Sequence, residues 1–153
     1  MLSVEDAQAQ VLARARPLET ELLDVRSALG RVLAEPVVSR RTIPPWPNSS
    51  MDGYAVRAAD TEAAPAVLRV TARIAAGMVP DRPIGPGEAA RIFTGAPLPE
   101  GADAVVPQEE VEADGDGIRV RRPVERGARV RPRGEDVQAG ERVLEPGRRL
   151  GAA

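Results

Sequence analysis

Three short stretches of this 153-residue chain carry side chains able to do polar chemistry. The first ends in Asn48-Ser49-Ser50-Met51-Asp52-Gly53, where a short carboxylate is crowded by amide and hydroxyl groups against glycine, the residue best able to take positive φ. A carboxylate on a rigid turn suits a metal or a polar substrate, and an Asp in this context caps its own turn equally well. The second, Thr94-Gly95-Ala96-Pro97, sets a hydroxyl beside a close-approach glycine at a strand end, which fits either oxyanion contact or a plain tight turn. The third, Arg131-Pro132-Arg133-Gly134-Glu135-Asp136, places two guanidinium forks and two carboxylates on one loop. Such a set can hold Mg²⁺ through its acids while the forks neutralise phosphate oxygens. The alternative is a cluster of surface ion pairs that satisfy one another, each worth about 0 to 1 kcal/mol.

Absences narrow the chemistry. The chain has no Cys and no His, which excludes disulfides, thiolate or imidazole metal sites, a His base and a Ser-His-Asp triad. Any bound metal is expected to be a hard, oxygen-liganded cation. Net charge is -2, and all 21 basic residues are Arg, so there is no electrostatic case for nucleic acid or an anionic membrane. Arg does cluster locally, at Arg119, Arg121, Arg122, Arg126, Arg129, Arg131 and Arg133, which reads either as a phosphate- or carboxylate-binding surface or as a solvated strand face. The start, Met1 to Asp6, lacks a basic and an apolar signal region, and no run approaches the roughly 20 apolar residues that cross a bilayer. A soluble, cytoplasmic protein is expected.

The elements that position these groups follow from pattern. The first motif is preceded by Pro44, Pro45 and Pro47, which fix φ and remove three backbone donors, so residues 43–47 form a stiff extended ribbon. Trp46 and Tyr54, two of only three aromatic residues, are expected to pack as anchors of this ribbon. Upstream, Ser3 and Asp6 suggest a capping box for an amphipathic helix from Val4 to Arg16, stopped by Pro17. Glu21 to Val25 reads as a short strand, and Ser27 as the cap of a second helix through Leu33. Beyond Arg57 the period changes from about 3.6 to 2. Strands are expected at 66–75, 90–93, 104–106 and 108–112, with Pro107 at an edge or bulge, and Asp114-Gly115-Asp116-Gly117 as a hairpin turn into 118–120. The chain then re-extends through 130–136 and ends in a short strand and turn over 143–150.

The run from Asn48 to Ala55 resembles the signature of the molybdopterin molybdenumtransferases, a family that includes the molybdenum-inserting part of gephyrin. Two further runs resemble family motifs in the same order and at similar spacing: Thr94-Gly95-Ala96-Pro97-Leu98-Pro99-Glu100-Gly101-Ala102-Asp103-Ala104-Val105-Val106 and Val130 to Asp136. The resemblance covers essentially the whole chain, but only the amino-terminal part of the family's length. It implies an α+β fold: an elongated helical and extended layer, discontinuous in sequence (residues 1–53 plus 127–153), with an inserted small β-barrel-like lobe over 54–126. A carboxy-terminal molybdopterin-binding domain would lie beyond this chain.

The resemblance also implies an activity, the insertion of molybdate into adenylylated molybdopterin with release of AMP, assisted by Mg²⁺. It implies a homodimer whose cleft joins this region to the carboxy-terminal domain of the other subunit, with a molybdopterin adenylyltransferase as pathway partner. The implied catalytic residues are Asp52, Thr94 and Asp136, and the implied substrate-binding residues Asn48, Ser49, Gly95, Arg131 and Arg133. Asp52, Glu135 and Asp136 are the implied metal ligands. These residues alone are expected to be catalytically silent. A non-catalytic dimerisation or interaction module built on the same scaffold is the competing expectation.

Overall fold

A computed structural model describes residues 2–16 and 18–152; Pro17, the expected helix stop, lies outside the described residues. The chain divides into two compact units, Met1–Val37 with Leu144–Ala153, and Val38–Val143. Among the described residues no helix is long and apolar enough to cross a membrane.

In the first unit, helix α1 (Val4–Leu12) begins as its capping residues dictate. The Ser3 hydroxyl accepts from the Asp6 amide at 3.1 Å and donates to the Asp6 carboxylate at 2.7 Å. The helix ends at Leu12, short of the expected Arg16, and none of its residues is buried. Neither the strand expected at Glu21 to Val25 nor the helix expected after Ser27 forms. Asp24 instead caps a single 3-10 turn, Val25–Ser27. Gly30 adopts φ +79° and donates to Leu150 O, Leu33 donates to Arg148 O, and Val32 bridges Arg149. A glycine in the left-handed region ends a helix, and extended pairing with the chain's last residues satisfies the backbone groups that a helix would have used. Among the described residues one α-helix stands where two were expected.

The second unit is mostly sheet. Strands β2 (Asn48–Ser49) and β9 (Val130–Arg131) pair with each other, as do β1 (Val37–Val38) and β10 (Arg142–Leu144), the two strands in which the chain passes from one unit to the other. The remaining six are β3 (Gly53–Val56), β4 (Ala66–Ile74), β5 (Glu88–Ile92), β6 (Ala104–Pro107), β7 (Val111–Asp114) and β8 (Gly117–Val120). They form one sheet in the order β6-β3-β5-β4-β8-β7, curled into half a barrel. Only β4 and β5 run parallel, which is why their connection, residues 75–87, is long. The β7–β8 hairpin turns through Gly115 at φ +60°, as Asp-Gly pairs favour. β6 lies at the sheet edge, where its Pro107 removes no ladder donor, and residues 108–110 make a 3-10 turn rather than the expected strand start.

Because side chains alternate across a sheet, neighbouring residues feed two cores. Val56, Leu68, Ala89, Val106, Ile118 and Val120 pack on one side, and Ala55, Ile74, Ala90, Ile92 and Val105 on the other. Strands β3, β5 and β6 are therefore covered on both faces, and their small apolar runs replace the alternation seen in β4. Of the two expected ribbon anchors, Tyr54 packs against the first core, whereas Trp46 is 48% exposed. The ribbon is stiffened by its prolines and gripped through its backbone, so it does not need the indole.

Candidate functional site

The register of β3 against β5 builds the first half of the site. Gly53 stands opposite Ile92, so the chain leaving β5 runs alongside Asp52. The Thr94 amide and hydroxyl both donate to Asp52 Oδ1, at 2.8 and 2.7 Å. Gly53 must be glycine here, since a Cβ would lie 2.1 Å from Val106 O. The Asp52 carbonyl accepts from the Gln108 amide at 3.2 Å. These donors hold the Asp52 carboxyl below its ordinary value; the Thr94 amide is the largest cause and the Thr94 hydroxyl the next, with the Arg91 charge adding to both against a modest desolvation.

The second half lies on the loop after β9. Arg131 Nε donates to Glu135 and its Nη2 to Asp136, each at 2.5 Å. The Glu135 bond first, and the Asp136 charge next, raise Arg131 further above its already high value, so it stays cationic. The loop is fastened to the proline ribbon: the Gly134 amide donates to Pro44 O, the Asp136 amide to Ile43 O and Arg133 Nε to Pro45 O, at 2.9 to 3.0 Å. Of the basic cluster, Arg119, Arg121 and Arg126 pair with Asp114, Glu112 and Asp103, which is the solvated-face arrangement.

Strand β2 joins the two halves. On one edge the Ser49 amide donates to Ala96 O and Ser49 O accepts from the Gly95 amide, at 3.0 and 2.8 Å, while Asn48 bridges Pro97. On the other edge Asn48 stands opposite Arg131 and Ser49 opposite Val130. Gly95, at φ +81°, allows the turn that makes this possible. The Ser49 hydroxyl is spent on its own turn, donating to Met51 O at 2.6 Å. Asn48 is 9% exposed, and its Oδ1 is buried with no partner.

The structure thus brings Asp52 to Thr94 and Arg131 to Glu135 and Asp136, with Asn48, Ser49 and Gly95 between. No ion pair or hydrogen bond links the two sets, and among the described residues no three acidic groups gather to hold a metal ion. The expected trio of Asp52, Glu135 and Asp136 is therefore not one cluster within this chain. The donor chemistry still fits Mg²⁺, which commonly takes one or two carboxylates and completes its shell with water and phosphate. Both bonds to Asp52 fall on Oδ1, and Oδ2 has no protein partner among the described residues.

A family profile described as the MoeA N-terminal region (domain I and II) matches residues 2–153. The chain belongs to this family. Among MoeA relatives, the molybdopterin molybdenumtransferase of Nostoc sp. is 42% identical over 139 residues, covering 88% of this chain and 32% of that protein. Molybdopterin molybdenumtransferase 2 of Mycobacterium tuberculosis is 40% identical over 151 residues, covering 96% and 37%. The crystal structure of the molybdopterin biosynthesis MoeA protein from Pyrococcus horikoshii OT3 superposes with a TM-score of 0.81 at 43% identity, over 86% of this chain and 36% of that one. The chain thus spans about a third of the length of the relatives it matches.

Against this MoeA background, motif reasoning overlooked two residues beside Asp52. Arg91 and Gln108 contact the Asp52 turn directly, and the cue in the sequence is a cationic residue three positions before Thr94, between the apolar Ala90 and Ile92.

Proposed function

We propose that this chain is the amino-terminal region of a molybdopterin molybdenumtransferase, which inserts molybdate into adenylylated molybdopterin, releasing AMP and giving molybdenum cofactor. The reading is carried by the double pairing of β2, which gathers on one two-residue strand the motifs of Gly95 and Arg131. Water adds across the pyrophosphate link and AMP departs; the freed molybdopterin binds molybdate through its two dithiolene sulfurs, whose protons leave with one molybdate oxygen as water. Asp52, held ionised by Thr94, presents a negative oxygen at the cleft. Arg131 and Arg133 neutralise oxyanion charge, and Gly95 lets the substrate approach the backbone beside Asn48 and Ser49. Asp136 positions Arg131 and accepts a proton or polar group of the substrate. Asp52, or Asp136 with Glu135, would hold Mg²⁺, which supplies charge neutralisation at the phosphate oxygens when bound.

In this reading the chain works with a carboxy-terminal molybdopterin-binding domain and is silent without it. Residues 1–53 with 127–153 form the linking domain, and 54–126 the inserted lobe. The enzyme is a cytoplasmic homodimer fed by a molybdopterin adenylyltransferase, and it acts without nucleic acid or membrane. A second copy is supported by α1, which leaves Val4, Val11 and Leu12 exposed and buries none of its residues. The same helix favours the second reading, a dimerisation module without catalytic duty. Mixing the chain with separately expressed carboxy-terminal domain and assaying molybdenum insertion separates the two. Restored turnover that falls at least about 100-fold in Asp52→Ala and Asp136→Ala supports the first reading. Turnover that survives both substitutions rejects the site.

A further inference from the structure

On the sheet face beside Asp52, Arg91 makes more contacts than a strand arginine needs. It stands opposite Tyr54 on β3 and beside Arg73 on β4. Its guanidinium lies 5.1 Å from the Tyr54 ring centroid and 4.7 Å from that of Phe93, so the fork is held between two aromatic faces. Nη1 donates to Gly53 O at 2.9 Å and Nη2 to Gln108 Oε1 at 2.5 Å. Gln108 in turn donates its amide to Asp52 O at 3.2 Å. One side chain therefore grips the residue after Asp52 and also the residue that holds the Asp52 carbonyl. Its ring partner Phe93 directly precedes Thr94, the donor to the Asp52 carboxylate.

We infer that Arg91 is a positioning residue for Asp52, bracing the Asp52–Gly53 backbone and the Thr94 donors in one geometry. Arginine suits the task because its planar fork can serve two acceptors at fixed separation while stacking on rings, which a lysine ammonium cannot do. No carboxylate pairs with Arg91 among the described residues, so its place is set by these neutral contacts and not by an ion pair.

The consequence for activity rests on the reading that Asp52 serves the molybdenumtransferase site, but the bracing itself is testable in this chain alone. Backbone amide exchange of Thr94 and Gln108, the two donors to Asp52, is followed by NMR in wild type, Arg91→Met and Gln108→Ala. In Arg91→Met the exchange of Thr94 and of the Gln108 amide is expected to quicken. Gln108→Ala, which keeps the Arg91 stack, is expected to quicken Thr94 exchange less. Unchanged exchange in a folded Arg91→Met overturns the inference; should that variant not fold, unchanged exchange in Gln108→Ala does so. In the complete enzyme, Arg91→Lys is expected to lower kcat about tenfold with KM nearly constant. An active Asp52→Ala enzyme would reject the functional reading while leaving the NMR result standing.

Discussion

Asp52 is partnered by groups without charge, the amide and hydroxyl of Thr94, whereas Glu135 and Asp136 share one guanidinium. Neutral donors stabilise a carboxylate and leave its charge intact, so the Asp52 turn is a standing anionic tip. On the loop, a cation offsets one of two negative charges, and its ion pairs are exposed, the kind that contribute little to stability. A phosphate or oxyanion can therefore replace an acid on Arg131 at small cost, while nothing comparable displaces the backbone donor of Asp52. One half of the rim is built to persist and the other to exchange.

The comparison breaks most severely at the glycines. Gly53→Ala forces a Cβ against the backbone carbonyl of Val106, which cannot swing aside as a side chain can, and is expected to cost about 3 kcal/mol or more in urea unfolding. Gly134→Ala meets only side-chain atoms, Thr42 Cγ2 and Gln138 Cγ at 3.1 Å, together with a φ of +76°, and should cost about 1 to 2 kcal/mol. Equal losses would mean that the loop is as rigid as the turn.

A smaller effect sharpens the contrast in charge. Thr94→Val removes the hydroxyl donor and keeps the amide, so the Asp52 midpoint should move up toward its ordinary 3.8 without reaching it. Because the folded value lies below the unfolded one, Asp52 adds stability above pH 3.8, and that contribution fades as pH falls through the lowered folded value. Thr94→Val should weaken this acid-side dependence in unfolding midpoints measured down the pH scale. Glu88, lowered by the Gly85 amide first and Arg69 next, supplies the same sign in both proteins and serves as internal control. Smallest of all, Arg131→Ala should hardly shift the unfolding midpoint, while divalent-cation binding, followed by calorimetry, tightens as Glu135 and Asp136 are released.

Much of the lobe was legible because it depends on local rules. The alternation of 66–74, the Asp-Gly turn at 114–117 and the edge role of Pro107 each follow from a residue's own backbone preferences. The helix expected after Ser27 failed because Gly30 and Val32 find partners at Leu150 and Arg149, more than a hundred residues away. The meeting of Asp52 with Thr94 has the same character. Both residues could be singled out by type, but their bond depends on Gly53 standing opposite Ile92, and register is not written in either motif. Arg91 was passed over for that reason: its importance comes from Tyr54 and Gln108 on neighbouring strands.

Strand β2 spans only Asn48 and Ser49, yet it carries the Gly95 turn on one edge and Arg131 on the other. A spine this short has no slack. Anyone grafting either motif onto another scaffold must transplant the proline ribbon with it, and the smallest portable version of this rim is all three segments together.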